Sequence, residues 1–374
     1  MTETPARLIN ANSSLFLDAI RLGAALLVAI FHAHSMWFPS EDNAATPLHN
    51  LAHAAVVVFF ALSGYVIAYT TTVNNRGLHQ YMQARFSRLY SVVIPALIIT
   101  GIAEIVVSSA APELHDMYSR GASLPRYLLS GSFLNEIWFM SAAPPMNTPL
   151  WSLGYEFWYY MIFGLWFFRS AGWKSTALLI AACVIAGPKI LLMMPIWLAG
   201  FAAYRLPKLR ISTSMSWLIL GVLIVATSFS VVYFPILPYT IGAPPLYFTN
   251  QFLTDWVNGF LFSIALWFLP LSTYSVPAKS WVSWFRKLAD LTFPIYILHT
   301  PLLILSRYIS DYQKYNITQM WQCVAVVLIT SALIGVVLEK QRPMWTKLFK
   351  NLFSLTSHFQ WSNQPVKISK NEAP

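Results

Sequence analysis

Long apolar stretches follow one another along most of this chain, and they limit what it can fold into. A helix needs roughly 20 apolar residues to cross a bilayer, and each crossing segment is expected to be helical because unpaired backbone groups are costly in lipid. The sequence therefore predicts an all-α fold, a polytopic integral membrane helix bundle with about ten transmembrane helices. The predicted spans are 15–36, 51–72, 90–110, 150–169, 174–188, 190–204, 215–234, 252–271, 290–306 and 317–338. The fifth and sixth are short and form either a tight hairpin or a re-entrant pair around Gly187-Pro188-Lys189.

The low charge content excludes several other classes of protein. Of the 374 residues, 57% are hydrophobic and only 10% are charged, whereas a soluble domain carries about 25% charged residues. A cytosolic enzyme and a disordered chain are therefore excluded. The two cysteines, Cys183 and Cys323, lie inside apolar runs, so neither a disulfide framework nor a metal site is expected. The net charge of +10 is explained by membrane topology, and no nucleic-acid partner is predicted.

The distribution of the basic residues predicts the orientation of the bundle. With the N-terminus placed in the cytoplasm, 18 Lys and Arg residues fall on the cytoplasmic side and five on the other side. This asymmetry follows the positive-inside rule and predicts that both termini are cytoplasmic. The expected organisation is a cytoplasmic segment 1–14, a membrane domain 15–338 with a long outside loop 111–149, and a cytoplasmic tail 339–374.

The first predicted span contains ionisable residues that are costly in lipid. Asp18 and Arg21 are three residues apart and can pair on one helical face. Arg21 and His32 are 11 residues apart, which places them on a common face about 16 Å apart along the helix axis. Arg21 could reach the headgroups while His32 bonds a carbonyl within the bundle. Alternatively, the neutral imidazole of His32 is suited to act as a general base or a nucleophile.

Short polar motifs mark the second and third spans. Ser63-Gly64 allows another helix to approach closely, which is a sufficient structural reason for this pair. Arg85 and Arg88 are three residues apart near a helix start and project from one side. Positive-inside topology alone explains them, but two guanidiniums at this position are also suited to bind the phosphates of a polyanion.

A carboxylate lies about two turns inside the fourth predicted span. Ser152, Glu156 and Tyr160 are spaced four residues apart and lie on one helical face. No Lys or Arg lies near Glu156 within the span, so its partner must come from another helix. Glu156 is either hydrogen-bonded across helices for structural reasons or part of a polar site. Trp151 is expected to anchor the entrance of the span.

Two prolines interrupt the ninth predicted span. Pro294 and Pro301 remove helical hydrogen bonds, and irregular backbone at membrane depth is tolerated where it lines a cavity. Tyr296 and His299 lie between these prolines, and His299 serves either as an interhelical contact or as part of a site. By their predicted depth, the polar residues of these spans form a path from the cytoplasmic surface towards the outer face.

Taken in order, these motifs resemble those of the membrane acyltransferase-3 family. The resemblance extends from residue 17 to about residue 302 and covers most of the chain. Two positions depart from the family pattern: Ser91 stands where proline is common, and Phe157 replaces a common second glutamate. The matching motifs are Arg21 with His32, FFALSGY at 59–65, Arg85-Phe86-Ser87-Arg88, WSLGYE at 151–156 with Tyr160, and FPIYILHTP at 293–301 with His299.

The resemblance implies an O-acyltransferase that moves an acyl group, usually acetyl, from acetyl-CoA to a hydroxyl of an envelope or surface glycan such as O-antigen or exopolysaccharide. It implies a protein of the bacterial inner membrane. Because only a short tail follows the tenth predicted span, we expect a stand-alone member without the SGNH-hydrolase-type domain that many relatives carry, and we expect no metal. In this family Arg21, Arg85 and Arg88 would bind the donor, while His32 would act as general base or carry the acyl group. Glu156 would orient His32. Further residues expected to support the site are Asp18, Ser63, Trp151, Ser152, Tyr160, Tyr296 and His299.

A transporter or flippase for a lipid-linked glycan or a small anion is the main alternative, because polar residues on several helices and broken segments also suit a transport path. A structural subunit of an envelope complex is a third interpretation. A transporter would move its solute without consuming acyl-CoA. A structural subunit would tolerate matched apolar replacements of His32 and Glu156.

Overall fold

The computed structural model describes residues 8–39, 47–74, 77–170, 172–272 and 280–355. It is 79% helical, which confirms the predicted all-α class. A short antiparallel ladder that the sequence does not predict pairs β1, Leu8–Ile9, with β2, Leu271–Ser272. The helices are α1 Ala11–Trp37, α2 Pro47–Val73, α3 Leu78–Ala110, α4 Pro112–Tyr118, α5 Ser123–Gly131, α6 Trp151–Phe167, α7 Trp173–Arg205, α8 Thr213–Tyr233, α9 Phe252–Trp267, α10 Ser280–Asp290, α11 Thr292–Ile309 and α12 Ile317–Leu355.

Six of the described helices are long and apolar enough to cross a membrane, which confirms a multi-pass membrane protein. They are α1, α2 over Leu51–Val73, α3, α7, α8 and α12. The pair α10 and α11 is bent by 41° and would count as a seventh span. α6 and α9 are shorter, with 17 and 16 residues. The count of ten spans therefore stays a prediction.

Contacts between helix ends agree with the predicted alternation of the spans. At one end of the bundle, Nη1 of Arg205 in α7 donates to Oγ1 of Thr72 in α2, at 3.1 Å. At the opposite end, the backbone N–H of Tyr315 donates to the carbonyl of Trp37 at 2.9 Å. We call these the inner and outer ends. The cytoplasmic location of both termini stays a prediction, since 1–7 and 356–374 are outside the described residues.

The fifth and sixth predicted spans form one element, α7, whose backbone leaves helical geometry at Gly187 with φ of 78° and ψ of 179°. Phe168, five residues before α7 begins, lines a small pocket together with Thr71. Arg205 at the other end of α7 contacts Thr72. A straight helix of 33 residues would be about 50 Å long, so both ends reach the inner end only if the chain reverses at Gly187. This arrangement agrees with the hairpin alternative.

α2 and the second half of α7 approach each other through two glycines. A Cβ atom added to Gly64 would lie 1.9 Å from the carbonyl oxygen of Trp197, and one added to Gly200 would lie 1.9 Å from that of Ala61. The close helix approach predicted for Ser63-Gly64 is therefore confirmed. This contact sets the position of Ser63, which lines the cavity described below.

Gly64→Ala is expected to destabilise the protein by about 1–3 kcal/mol, because the added methyl group must push α2 away from α7. Thermal unfolding of the detergent-solubilised protein would measure the loss. Gly221→Ala in α8 is the matched control, since nothing lies within 4 Å of a Cβ at that position. Equal unfolding temperatures for the two variants would contradict the close contact.

The connection between α3 and α6, predicted as an outside loop over 111–149, folds back into the bundle at its end. Residues 142–147 are buried although they are not helical. Nδ2 of Asn147 donates to Oγ1 of Thr100 in α3 and to the carbonyl of Ile297 in α11, both at 3.0 Å. Irregular backbone at this depth is tolerated because it is enclosed by protein. The segment thus fixes the start of α6 against α3 and α11.

α12 continues well beyond the end of the tenth predicted span. Residues 339–355, predicted as the start of a cytoplasmic tail, prolong the helix to Leu355. Nε2 of Gln83 donates to the carbonyl of Thr346 at 3.0 Å, and Nε2 of Gln341 donates to the carbonyl of Ser91 at 3.2 Å. The extension therefore runs antiparallel along the first turns of α3.

Candidate active site

A cavity between α1, α2, α3, α6 and α11 collects most of the polar residues that the sequence singles out. It has a volume of about 770 Å³, part of which is open to solvent. Apolar side chains of α2 and α6 complete its wall. Eight of the twelve predicted site residues line the cavity, namely Arg21, Ser63, Arg85, Arg88, Ser152, Glu156, Tyr160 and Tyr296.

Three guanidiniums give the cavity a net positive charge. Nη1 of Arg21 donates to Oδ1 of Asp18 at 3.3 Å, which is the predicted pair. Arg85 lies between two aromatic rings, 5.9 Å from the centroid of Tyr81 and 5.7 Å from that of Tyr160. Nε of Arg85 is buried and has no hydrogen-bond partner among the described residues. Such an orphaned donor is costly unless a ligand or water binds it.

A smaller pocket lies beside the cavity, at the inner end of the bundle. It has a volume of about 260 Å³ and is lined by Thr70, Thr71 and Asn74 of the end of α2, by Phe168, and by Arg85. Arg85 lines both spaces. The guanidinium of Arg85 therefore lies at the boundary between these two spaces.

Glu156 is the one carboxylate among the residues that line the cavity. Oγ of Ser63 donates to Oε1 of Glu156 at 2.9 Å, and the hydroxyl of Tyr160 donates to the same oxygen. Nε1 of Trp197 donates to Oγ of Ser63 at 3.2 Å. Glu156 thus finds its partners on α2 and within its own helix α6, and the predicted face of Glu156 and Tyr160 is present.

At the other side of the cavity, α6 and α11 meet through two hydroxyls. Oγ of Ser152 lies 2.8 Å from the hydroxyl oxygen of Tyr296. Both are also within hydrogen-bond distance of the carbonyl of Pro149, at 3.2 and 3.3 Å. Pro149 belongs to a short 3-10 turn that precedes α6. Tyr296 is therefore held in place at the wall that leads to His299, three residues further along α11.

His32 and His299 form a hydrogen-bonded pair, although they are 267 positions apart. Nε2 of His299 lies 3.1 Å from Nδ1 of His32, and the ring centroids are 5.0 Å apart. His299 is fully buried, and its ring centroid is 6.0 Å from that of Tyr296. Oγ1 of Thr300 is also 3.0 Å from Nε2 of His299. The structure thus joins the first and the last histidine of the predicted site.

The neighbouring acceptors determine which ring nitrogens of this pair carry hydrogen. Nδ1 of His299 lies 2.6 Å from the carbonyl oxygen of Tyr296, which only accepts, so this nitrogen donates and Nε2 of the neutral ring accepts. Nδ1 of His32 lies 3.0 Å from the carbonyl oxygen of Val28 and therefore also donates. These partners assign the lone pair of neutral His32 to Nε2, the nitrogen on the far side of the ring.

Trp151 is buried in the bundle, although the sequence predicts an anchor at the membrane surface. Its ring stacks on that of His53, with centroids 5.8 Å apart, and on that of Phe248, with centroids 4.5 Å apart. Nε2 of His53 is 3.0 Å from Oδ2 of Asp255, and both residues are buried. The sequence does not predict this pair, because each residue is an isolated polar position and the two lie in separate apolar runs.

A second buried ion pair holds the connection before α6 against the hairpin of α7. Nζ of Lys189 lies 2.7 Å from Oε2 of Glu136, and both side chains are fully buried. Nζ also donates to the carbonyl of Met140, and Oγ of Ser141 donates to Oε1 of Glu136 at 3.2 Å. Burial raises the pKa of Glu136 to about 7, although the neighbouring ammonium and hydroxyl lower it.

Phe157, which departs from the family pattern, belongs to an aromatic cluster outside the cavity. Its ring stacks on that of Phe133 with centroids 4.5 Å apart and on that of Phe86 with centroids 5.5 Å apart. At this position, where the family often has a second glutamate, the chain has a phenylalanine that packs against other aromatic rings. Among the described residues, no group of three or more His, Cys, Asp or Glu is placed to hold a metal ion.

Fold and site together define an integral membrane protein with a cationic cavity inside the bundle and a buried histidine pair beside Tyr296. The chain belongs to the acyltransferase-3 family, whose model, described as an acyltransferase domain, matches residues 14–339. This match confirms the resemblance that the motifs indicate. No solved structure shows a significant match.

Two curated relatives are similar to parts of the chain. An acyltransferase called MdmB from Streptomyces mycarofaciens is 31% identical over 201 residues, which are 51% of this chain and 49% of that protein. Protein 2 in the picA locus of Rhizobium radiobacter is 30% identical over 186 residues, which are 46% of this chain and 91% of that protein. The similarity to MdmB thus spans about half the length of that relative.

Proposed function

We propose that this protein is a membrane-embedded O-acyltransferase that moves acetyl from acetyl-CoA to a hydroxyl of an envelope or surface glycan, such as O-antigen or exopolysaccharide, in a bacterial inner membrane. One observation carries the proposal. A single cavity brings together the guanidiniums of Arg21, Arg85 and Arg88 and extends to Tyr296, next to the hydrogen-bonded pair of His32 and His299. Membership of the acyltransferase-3 family supports the class of reaction.

The residues of the cavity fit an anionic donor. Three guanidiniums face one carboxylate, Glu156, among the lining residues. The buried Nε of Arg85 lacks a partner among the described residues, and guanidiniums form bidentate, charge-assisted hydrogen bonds with phosphates. The CoA phosphates would bind near Arg85 and Arg88, and the pantetheine arm would run along the apolar wall towards Tyr296. In this arrangement acetyl-CoA is a substrate, and its acetyl group would lie next to the histidine pair.

In the proposed reaction, Nε2 of His32 takes the proton of the acceptor hydroxyl as its oxygen attacks the thioester carbonyl. The new C–O ester bond forms, the C–S bond breaks, and the proton passes to the thiolate, which leaves as CoA. The carbonyl of Val28 and Nε2 of His299 share the hydrogen on Nδ1 of His32, and these two acceptors keep Nε2 of His32 aimed at the reactants. The sequence-based hypothesis gives this orienting role to Glu156, but in the structure the carboxylate of Glu156 accepts hydrogen bonds from Ser63 and Tyr160 instead.

A donor assay tests the proposed function directly. Membranes that contain the protein would be incubated with radiolabelled acetyl-CoA, and the envelope glycans would be analysed by mass spectrometry with the gene present and deleted. We expect label in the glycan and a mass difference of one acetyl group per modified residue. Movement of a glycan or anion without consumption of acetyl-CoA would overturn the proposal in favour of a transporter.

Arg88→Ala is expected to raise the KM for acetyl-CoA by about 10- to 100-fold, because a hydrogen bond to a charged group contributes about 1.5–3 kcal/mol. The KM for the acceptor should change little. Arg88→Lys should recover part of the loss, since it keeps the charge but not the bidentate geometry. Lys174→Ala, which removes an exposed cation at the start of α7, controls for general surface charge. An unchanged donor KM in Arg88→Ala would show that Arg88 does not bind the donor.

A further inference from the structure

We propose that the extension of α12, residues 339–355, is part of the donor site because it positions Arg85 and Arg88 through Phe86. The inference rests on the proposed function, since it concerns how the donor arginines are held. Phe86 stands between the two arginines in the motif Arg85-Phe86-Ser87-Arg88. On a helix, its side chain points about 100° away from Arg85 and about 160° away from Arg88. The arginines face the cavity, and Phe86 faces the other way.

Phe86 is enclosed by aromatic rings from two other helices. Its ring centroid lies 5.6 Å from that of Phe349 and 5.5 Å from that of Phe353, both on the extension of α12. On the third side it stacks on Phe157 of α6, with an interplanar angle of 20°. Tyr90, one turn further along α3, packs on Phe349 at 5.4 Å. Rings of this kind have few rotamers, and packed pairs prefer defined geometries.

Two hydrogen bonds fix the register of the extension along α3. Gln83 lies three residues before Phe86, and its Nε2 donates to the carbonyl of Thr346. Ser91 lies five residues after Phe86, and its carbonyl accepts from Nε2 of Gln341. These bonds flank the arginine motif on both sides. A sliding or a separation of the extension would break them together with the aromatic contacts, so the backbone of the motif is held from outside the cavity.

The amphipathic pattern of the extension separates this inner contact from the opposite surface. Phe349 is buried, whereas Met344 and Leu348 are 61% and 47% exposed. The two exposed residues lie on a different face from the aromatic rings that meet α3. The extension thus offers one face that touches the donor motif and one face that does not, and the two can be varied independently.

Removal of the aromatic support should weaken donor binding without removing any group that contacts the donor. An aromatic pair contributes about 0.5–1.5 kcal/mol beyond its burial, and small displacements of binding groups are costly. We expect Phe349→Ala combined with Phe353→Ala to raise the KM for acetyl-CoA by about 3- to 10-fold. The kcat at saturating donor and the KM for the acceptor should change less than about twofold.

The experiment compares this double variant with Met344→Ala combined with Leu348→Ala on the exposed face, in the full-length protein. Phe86→Leu should raise the donor KM by a similar factor, whereas Phe86→Tyr, which keeps an aromatic ring, should leave the donor KM near the wild-type value. Phe86→Leu added to the double variant should have little further effect, because the same contact is already lost. Where the double alanine variant fails to fold, Phe349→Leu and Phe353→Leu singly provide milder changes with the same expected direction.

The outcomes separate this inference from the proposed function. If Arg88→Ala raises the donor KM and the Phe349 and Phe353 variants do not, the positioning role is wrong and the donor site stands. The positioning role would also be wrong if kcat fell and both KM values rose by similar factors, or if variants on the two faces of the extension had equal effects. Either result would indicate general destabilisation. If neither Arg88→Ala nor the aromatic variants change the use of acetyl-CoA, the proposed donor site itself is wrong.

Discussion

His32→Ala is expected to lower the rate of acyl transfer by about 10²–10⁴-fold, the range that a general base contributes. The substitution removes the lone pair that the hydrogen-bond partners assign to Nε2. It should leave the protein folded, because α1 is packed through other residues, among them the buried Ala25, Val28 and Ala29. The rate at saturating acetyl-CoA and acceptor, measured with equal amounts of inserted protein, checks this prediction.

His34→Ala is the matched control for this substitution. His34 lies on the same helix but points about 200° away from His32, and its ring stacks on that of Phe38 with centroids 5.1 Å apart. Wild-type transfer in His34→Ala together with the loss in His32→Ala would identify the histidine pair as the reaction centre. Wild-type transfer in His32→Ala would exclude His32 as base or nucleophile. An acyl group trapped on His32 and released by hydroxylamine would indicate a covalent relay rather than general base catalysis.

The local periodicity of the helices predicts much of this site. The 11-residue spacing of Arg21 and His32 places both on one face of α1, and the i, i+4 spacing places Ser152, Glu156 and Tyr160 on one face of α6. Eight of the twelve predicted residues line one cavity, because polar residues in an apolar span must face the interior of the bundle. The paired arginines of α3 and the proline-flanked Tyr296 and His299 of α11 stand out in the sequence for the same reason, and the family match agrees with the resemblance that these motifs indicate.

The partners of these residues could not be predicted, because they depend on how distant helices pack. His32 and His299 are 267 positions apart, and their spacing along the chain says nothing about their distance. Hydropathy alone also does not predict where α12 ends. The polar run after Leu338 predicts that the span stops there, yet the helix continues to Leu355 because its aromatic residues pack on α3. Aromatic spacing after residue 344 was the available signal.

The count of spans shows a related limit. Apolar runs predict where helices lie, and every predicted span overlaps a helix of the described residues. Length alone does not decide which of them cross the bilayer, since α6 and α9 are short and α7 breaks at Gly187. Gly187 and Pro188 indicate the break, but the sequence does not indicate its contact with Trp138, whose backbone N–H donates to the carbonyl of Ala186 at 3.1 Å.

Lys189→Met is expected to destabilise the protein by about 3–5 kcal/mol, because it leaves the fully buried Glu136 without its counter-charge. This corresponds to roughly a 10²- to 4 × 10³-fold change in the unfolding equilibrium. The pair connects the segment before α6 to the hairpin of α7. Its removal should therefore destabilise the start of α6, the helix that carries Ser152 and Glu156. Unfolding in detergent, followed by tryptophan fluorescence, measures the effect, and Lys174→Met at the exposed start of α7 is the control.

The pH dependence of Lys189→Met distinguishes a buried charge from a lost packing contact. Burial already raises the pKa of Glu136 to about 7 against the influence of Lys189, and without the ammonium the pKa should rise further. The folded variant then binds a proton that the unfolded chain releases above about pH 4.5. Its stability should therefore fall as the pH rises from about 5 to 8. Glu136→Gln in the same chain should remove this pH dependence and restore most of the stability. A pH-independent loss that Glu136→Gln does not relieve would mean that Lys189 stabilises the fold through its packed side chain rather than its charge.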